Sequence, residues 1–438
     1  MMTGLRNILY GFLREMLKAM HSGGPGWPVK YWRFKDPVNI FALIALAGWT
    51  LFTLLKASSF PGQPFGCDYG MNLHLSVNVV EGHKFAAGFL YPLPSVLLRY
   101  YLFKIFGNFS GIVWVCAMAS SMYIIMNFLI HEFYSGEREY RYIYAILGFL
   151  PVAYYVQWDL RSLNCNLIVL CLVLVSAFYL KKESFFISAF FLSLAVALKL
   201  YPIVILAYLL VRKQFRLVAS ALFWTVIFFV LIPITALGWP SFLDLTRKWV
   251  DVVALTGSPD FLVQLSAYKT SLHFALLSLI SQGDVLALPA RSLHDIQVIV
   301  SCLRIFFIIS ALIYLIFDNR SSDLKGIDHN LFNMILILVA SLLFSEQLEP
   351  HHGVFLLASS LFVMNFSIYS TFSRSVRYWV LAISLLPFLL LKASSAGMEK
   401  AFAMNLHIIV YLLLLIFLRF YMSRHEFVNS PKSQPSPL

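Results

Sequence analysis

Long apolar runs recur along almost the whole chain and are separated by short polar segments. A helix needs about 20 apolar residues to cross a bilayer, and fewer where it is short or broken. Twelve runs fit this description, and an even number of crossings puts both chain ends in the cytoplasm. The predicted membrane helices are 38–55, 110–130, 142–155, 164–180, 184–198, 200–211, 217–237, 296–317, 331–345, 353–368, 378–391 and 406–418.

Three stretches leave alternatives open. The short runs that meet at Lys199-Leu200-Tyr201 could instead form one kinked helix. The apolar run 88–106 contains two early prolines and two charges, Arg99 and Lys104, so we expect a helix that lies along the interface with its charges reaching water. Apolar residues alternate with period two in 72–80, but a short surface helix is favoured beside a membrane.

The chain ends differ from this pattern. Apolar residues in 3–20 recur at helical spacing with Arg6, Arg14 and Lys18 on the other face, which predicts a basic amphipathic helix on the membrane or on the protein's own cytoplasmic surface. We therefore divide the chain into a cytoplasmic helix and linker (1–36), a transmembrane domain (37–421) and a disordered cytoplasmic tail (422–438). The segment 239–295 is predicted as the longest outside loop.

Composition agrees with a membrane protein. Hydrophobic residues make up 60% of the chain and charged residues 12%, which is too apolar for a water-exposed surface. The net charge of +12 does not indicate nucleic-acid binding, because Lys and Arg sit in short clusters between apolar runs, such as Lys181-Lys182, as the positive-inside rule expects. Five cysteines without a C-x-x-C pair indicate no zinc site; a Cys67–Cys165 disulfide stays a minor alternative.

Four polar clusters fall on the outer face in this topology. They are Gly66–Asn72 around Asp68, Trp158–Asn166, the break at Lys199-Leu200-Tyr201-Pro202, and Glu346–His352. A carboxylate beside the hydrocarbon loses hydration, which makes it a better base, so Asp68 is either a general base or an ordinary loop aspartate. We expect one site at the outer membrane surface that handles a lipid-linked substrate.

The other three clusters supply cations and hydrogen-bond donors. An unpaired ammonium inside a membrane costs about 3 kcal/mol, so Lys199 should either meet an anion such as a phosphate or reach the interface. Adjacent His351 and His352 point about 100° apart on a helix, which favours contact with a phosphate or sugar over metal binding. Arg161 is either a further cationic contact or an exposed loop residue. No cofactor is expected, since the chain has no glycine-rich phosphate loop, G-x-S-x-G or H-E-x-x-H.

Taken in order, these motifs resemble glycosyltransferase family 87. The resemblance covers roughly residues 68–357 and rests on an early Asp-Tyr, a Tyr-Pro-x-Pro segment, an Asn-containing turn before a leucine run, and a late His-His. The stretch Ala195-Val196-Ala197-Leu198-Lys199-Leu200-Tyr201-Pro202 is the most specific part. The resemblance implies a C-type glycosyltransferase fold with interfacial helices in the first outside loop.

The resemblance also implies a reaction. A mannosyl residue, which would make the protein a hexosyltransferase, or an arabinofuranosyl residue would pass from a polyprenyl-phosphate donor to a glycolipid or glycan acceptor. Asp68 would be the base; the donor contacts would be Lys199, Tyr201, Arg161, Asn166, His351 and His352. Where the family has Gly-Gln-x-Asn, this chain reads Leu163-Asn164-Cys165-Asn166, and a later Asn-Gln-Ser-Leu becomes Tyr268-Lys269-Thr270-Ser271-Leu272.

Two other classes remain open. A transporter or flippase of a lipid-linked saccharide should show repeated halves with matching broken helices, whereas this chain has one break near Lys199 and no clear second copy. A scaffold of an envelope-assembly complex is the third class. We expect a multi-pass protein of a bacterial inner membrane, with its site facing the periplasm and with membrane lipids, but no nucleic acid, as partners.

Overall fold

The computed structural model describes residues 67–82, 91–133, 147–256, 329–343, 350–369, 374–393 and 398–424, together with isolated positions 48, 298, 299 and 302. The predicted segments 1–36, 38–55, nearly all of 296–317, and the end of the tail lie outside these residues. Within them 93% of residues are helical and there is no strand, which confirms the all-α expectation.

The first described unit is a helical pair followed by a long apolar helix. Helix α1 (Cys67–Gly82) packs against α2 (Leu93–Phe106), and a 3-10 turn (Gly107–Phe109) leads into α3 (Ser110–Phe133). Residues 72–80 are therefore helical, as favoured over a strand. Pro92 caps α2, where its missing N–H costs nothing, and Gly107 ends that helix at φ 53°, a conformation that glycine adopts readily.

The middle of the chain contains two breaks that shape the site. Helix α4 (Ala153–Ser162) ends at Leu163, whose φ of 52° turns the chain into α5 (Asn166–Lys181). Helix α6 (Phe185–Leu198) packs along α5 and ends where Lys199 becomes extended, before α7 (Ile203–Val211). The structure thus has two short helices at Lys199 rather than one continuous helix, because the extended residue and Pro202 interrupt the hydrogen-bond ladder.

The next segment differs from the predicted loop. Helix α8 (Phe215–Val226) continues through a π-helical stretch (Ile227–Leu231) into α9 (Ile232–Leu237), where Pro233 removes a ladder donor. Residues 239–256 form helix α10 (Trp239–Thr256), so the segment predicted as an outside loop begins with a helix that the sequence did not indicate. Its buried Phe242 and Leu245 pack in a small apolar cluster with residues of α1 and α2.

The carboxyl-terminal helices complete the core. They are α11 (His329–Leu343), a 3-10 helix (Pro350–Phe355) that runs directly into α12 (Leu356–Tyr369), α13 (Arg374–Ala393) and α14 (Met398–Arg424). Helix α14 packs on α11, α12 and α13 and continues slightly past the predicted boundary at 421. One large apolar core joins these helices to α3 through α8.

Three helical runs among the described residues are long and apolar enough to cross a membrane: Leu93–Met126, Phe215–Leu237 and Ala403–Phe420. A fourth candidate is the pair Leu147–Ser162 and Asn166–Lys181, which is bent by 114° at its break. Several other apolar helices are shorter, because breaks at Lys199 and near the histidines divide them. Twelve crossings, and an interfacial course for 88–106, remain predictions.

Candidate active site

The turn between α4 and α5 places a carboxylate at the start of a helix. Asp159 is fully buried in the last turns of α4, and its carboxylate accepts hydrogen bonds from the Leu167 backbone N–H (3.1 Å) and from Asn166 Nδ2 (2.8 Å). A negative charge is stabilised at a helix amino terminus, where backbone N–H groups lack helical partners. The Asp159 carboxylate therefore fixes the first turn of α5.

Asn166 is the centre of the polar cluster. Its Nδ2 also donates to the His351 carbonyl (3.1 Å), while its Oδ1 accepts from Lys199 Nζ and from the Tyr201 hydroxyl, both at 2.8 Å. An amide side chain offers two N–H donors and one oxygen with two lone pairs, so these contacts use all of its hydrogen-bonding groups. Asn166 consequently holds three separate segments of the chain together, and its role is to position Lys199 and Tyr201.

Lys199 lies at the break between α6 and α7. Its backbone is extended, with φ −148° and ψ 137°, and its side chain is buried. Besides Asn166, the Nζ atom approaches His352 Nε2 at 3.4 Å and lies 5.6 Å from the centre of the Tyr91 ring. Lys199 is thus a buried cation in a polar cluster, and its contact with an anion stays a prediction.

The paired histidines sit in the 3-10 helix that α4 and α5 both contact. Their rings are 4.4 Å apart, and His351 is buried while His352 is half-buried. The Cys165 N–H donates to Asn164 Oδ1 (2.8 Å), which leaves the Asn164 Nδ2 to donate to His351 Nε2 (3.2 Å). His351 Nε2 is therefore an acceptor, and its ring proton is on Nδ1.

A glycine keeps this histidine turn close to α4. A Cβ atom at residue 353 would overlap the Tyr155 ring, far inside van der Waals contact. The Tyr155 hydroxyl is in turn hydrogen-bonded to His407 Nδ1 of α14 at 2.9 Å. Only glycine allows the histidine turn and α4 to approach this closely.

An aromatic and cationic layer connects the cluster with α1. The Arg99 guanidinium lies 4.0 Å from the Tyr91 ring centre and 5.4 Å from that of Trp114. Trp114 contacts the Tyr69 ring at 5.7 Å and donates its indole N–H to the Leu163 carbonyl (2.9 Å). Arg99 is 1% exposed, so the prediction that it reaches water at the interface was wrong; Lys104 does so. Burial raises the pKa of the Tyr69 hydroxyl.

The remaining predicted residues are more peripheral. Asp68 occupies the first turn of α1 beside the buried Tyr69, and the placement of its side chain lies outside the described structure. Helix α1, which carries Asp68, contacts α4. Arg161 is half-buried with its guanidinium 5.9 Å from the Trp158 ring. Cys165 is a free, buried thiol, so the minor disulfide alternative is wrong.

Sequence reasoning did not select four residues that the structure adds to the cluster: Asp159, Asn164, Tyr91 and Arg99. The Tyr91 hydroxyl donates to Asn164 Oδ1 at 3.3 Å, which ties the amino end of α2 to the turn before α5. Asp159 and Asn164 both lie within the polar cluster Trp158–Asn166 that the sequence indicated. Within the described ranges no three His, Cys, Asp or Glu side chains form a group that could hold a metal ion.

The all-helical fold, its apolar spans and the buried cation cluster define an integral membrane protein with a polar site at the breaks between its helices. Its family is shown by comparison: a model of glycosyltransferase family 87 matches residues 89–345, more than half of the chain, and the protein belongs to that family. It is therefore a membrane glycosyltransferase. No curated protein matches the chain.

The family match covers the residues at the centre of the cluster but not its edges. Tyr91, Asp159, Asn166, Lys199 and Tyr201 lie inside the matched region, whereas Asp68 and both histidines lie outside it. The match is thus narrower than the 68–357 that the motifs indicated.

Proposed function

We propose that this glycosyltransferase moves a mannosyl or arabinofuranosyl residue from a polyprenyl-phosphate donor to a glycolipid or glycan acceptor, with inversion at the sugar. The observation that carries this proposal is the Lys199 ammonium, buried and held on Asn166 at 2.8 Å in a glycosyltransferase. A buried ammonium attracts anionic groups strongly, because the low dielectric constant around it strengthens electrostatic interactions. A lipid-linked phosphate brings such an anion to a protein that lies in the membrane.

The leaving group determines what the cluster has to stabilise. When the acceptor oxygen attacks the anomeric carbon, the bond from that carbon to the phosphate oxygen breaks and its electron pair stays on the phosphate. Preorganised donors aimed at such developing charge lower the barrier. Lys199 donates to that charge directly, His352 lies 3.4 Å from its ammonium, and the Tyr201 hydroxyl keeps Asn166 in place.

Asp68 is proposed as the general base that takes the proton of the acceptor hydroxyl. Its position supports this, since the first turn of α1 carries Tyr69, which packs on Trp114 at the edge of the same cluster. One direct displacement needs one base, because phosphate leaves without strong acid assistance. Asp68→Asn should therefore abolish transfer while donor binding persists.

Arg161 and His351 have less direct roles in this proposal. The His351 Nε2 atom is hydrogen-bonded to Asn164 and its carbonyl accepts from Asn166, so His351 helps to hold the cluster in place. Arg161 stacks near Trp158 on the neighbouring turn of α4 and would contact a sugar or phosphate at the entrance. The site is proposed to face the periplasm of a bacterial inner membrane.

The experiment that tests the reaction class uses the full-length protein in lipid vesicles with labelled polyprenyl-phosphate mannose and arabinofuranose. We expect label in a glycolipid or glycan with the opposite anomeric configuration, determined by NMR of the product. Movement of intact donor across the bilayer without product would instead favour a flippase. If neither product nor donor movement is detected, a scaffold is favoured. Product with retained configuration would contradict the single displacement.

A further inference from the structure

Arg99 is a buried cation that the proposed reaction has not yet used. It is 1% exposed, and its hydrogen bond within the described residues runs from Nη1 to Ser95 Oγ at 3.0 Å on its own helix. Its Nε has no hydrogen-bond partner there, and no carboxylate of the described residues lies within ion-pair distance. A buried guanidinium with such sparse compensation is costly, which suggests that an anion completes its environment.

The position of Arg99 relates it to the donor cluster. Its Cζ atom lies 4.0 Å from the centre of the Tyr91 ring, and Lys199 Nζ lies 5.6 Å from the same centre. A phosphate that accepts from two nitrogens at normal distances puts them up to about 8 Å apart. These two distances place the Arg99 Cζ atom and the Lys199 Nζ atom at most about 9.6 Å apart, which is close to the span of one phosphate group.

We infer that Arg99 and Lys199 together bind the phosphate of the polyprenyl donor, and that Arg99 acts mainly on the phosphate that is leaving. This rests on the proposed donor class. The donor phosphate is a diester with one negative charge, whereas the released polyprenyl phosphate is a monoester that carries up to two. Two cations therefore bind the departing group more strongly than the intact donor, which is the differential binding that accelerates a reaction.

The test compares Arg99→Gln with the wild-type full chain in lipid nanodiscs. Titration with a polyprenyl phosphate measures product affinity, and titration with the uncharged polyprenol measures the contribution of the lipid alone. We expect Arg99→Gln to weaken polyprenyl-phosphate affinity by about 10- to 100-fold, the range for a lost charge-assisted hydrogen bond, with polyprenol affinity unchanged. The donor KM should rise less than the product affinity falls.

Two further variants make the result decisive. Arg99→Lys keeps the charge but lacks the forked guanidinium donors, so it should recover part of the affinity. It also replaces Arg99→Gln as the test variant if that protein does not fold. Lys104→Gln removes an exposed cation of the same helix, paired with Glu81 at 2.7 Å, and should bind like the wild type.

The outcomes also separate this inference from the proposed reaction. Wild-type affinity for polyprenyl phosphate in folded Arg99→Gln, alongside normal transfer by the wild type, overturns the role of Arg99 alone. Affinity in Arg99→Lys above that of Arg99→Gln supports a phosphate contact through the charge. A wild-type protein that neither binds polyprenyl phosphate nor transfers from its sugar esters overturns the donor class and this inference with it.

Discussion

Two buried polar networks lie side by side around α4, and they differ in charge. The first, here the Asn166 network, joins Asp159, Asn166, Lys199, Tyr201 and the paired histidines. The second, the His407 network, joins Tyr155 to His407 (2.9 Å) and Ser360 to Tyr411 (2.9 Å) across α4, α12 and α14. Lys and Asp occur in the first, whereas the named members of the second are hydroxyl and imidazole groups.

We expect this difference in charge to distinguish a substrate site from a contact that only stabilises the fold. Neutral hydrogen bonds across helices stabilise packing by about 1 kcal/mol each and need no ligand. A buried ammonium adds little or nothing to stability, because its desolvation offsets its contacts. The Asn166 network is therefore expected to matter mainly for substrate, and the His407 network mainly for folding.

Among the variants of the two networks, Lys199→Met should have the largest effect on transfer. Removing a donor aimed at developing negative charge lowers the rate by about 100- to 1,000-fold. Stability should change by less than this, because the desolvation cost of the ammonium disappears together with its contacts. Transfer kinetics and thermal unfolding of the purified protein measure the two quantities. Lys182→Met changes an exposed lysine and serves as the control. Normal transfer by Lys199→Met would remove the distinction between the networks.

Asp159→Asn should lower both the transfer rate and the stability. The variant replaces the carboxylate that receives Asn166 Nδ2 and the Leu167 N–H, so we expect a loss of about 1 to 3 kcal/mol in unfolding free energy. Because Asn166 then holds Lys199 less firmly, transfer should fall by about 10-fold, through kcat rather than KM. A folded variant with wild-type kcat would show that Asp159 does not position the site.

Gly353→Ala tests the contact between the two networks. Its new Cβ would overlap the Tyr155 ring of the His407 network and displace the histidine turn of the Asn166 network. Overpacking of this kind costs about 1 to 3 kcal/mol, and both stability and transfer should fall. Gly353→Ala combined with Tyr155→Leu should recover part of the stability. Full stability in the single variant would contradict the close approach.

Tyr155→Phe should lower stability alone. The ring stays against Gly353 while the hydroxyl on His407 is lost, so the unfolding free energy should fall by about 1 kcal/mol with transfer per folded molecule unchanged. Denaturant unfolding in detergent and vesicle transfer assays measure this. A large loss of transfer would place the His407 network within the active site.

The smallest effect is expected far from both networks. Lys104 donates to Glu81 at 2.7 Å on the surface and thereby lowers the pKa of Glu81. Any stabilisation from this pair is present above the unfolded pKa of Glu81 and is lost as pH falls through the lower folded value. Glu81→Gln should give wild-type transfer and an unfolding temperature within error of the wild type near neutral pH.

Local pattern was sufficient for the helices and for most members of the Asn166 network. The break at Lys199, the apolar runs and the polar clusters at their ends were readable, since helices that reach the same face bring their ends together. Asp159 and Arg99 were missed because a lone charge in sequence does not reveal whether it turns inward. Helix α10 was missed because polar residues on its exposed face, such as Asp244 and Lys248, resemble those of a loop.

Asp68→Asn tests the central claim most directly. The full-length variant in vesicles is titrated with labelled polyprenyl-phosphate sugar for binding and then incubated with acceptor for transfer, with Asp251→Asn on the exposed face of α10 as control. If Asp68 is the general base, the variant keeps the donor affinity of the wild type, its transfer falls by at least about 1,000-fold, and the Asp251→Asn control is fully active. Transfer at the wild-type rate by a folded Asp68→Asn protein would contradict it.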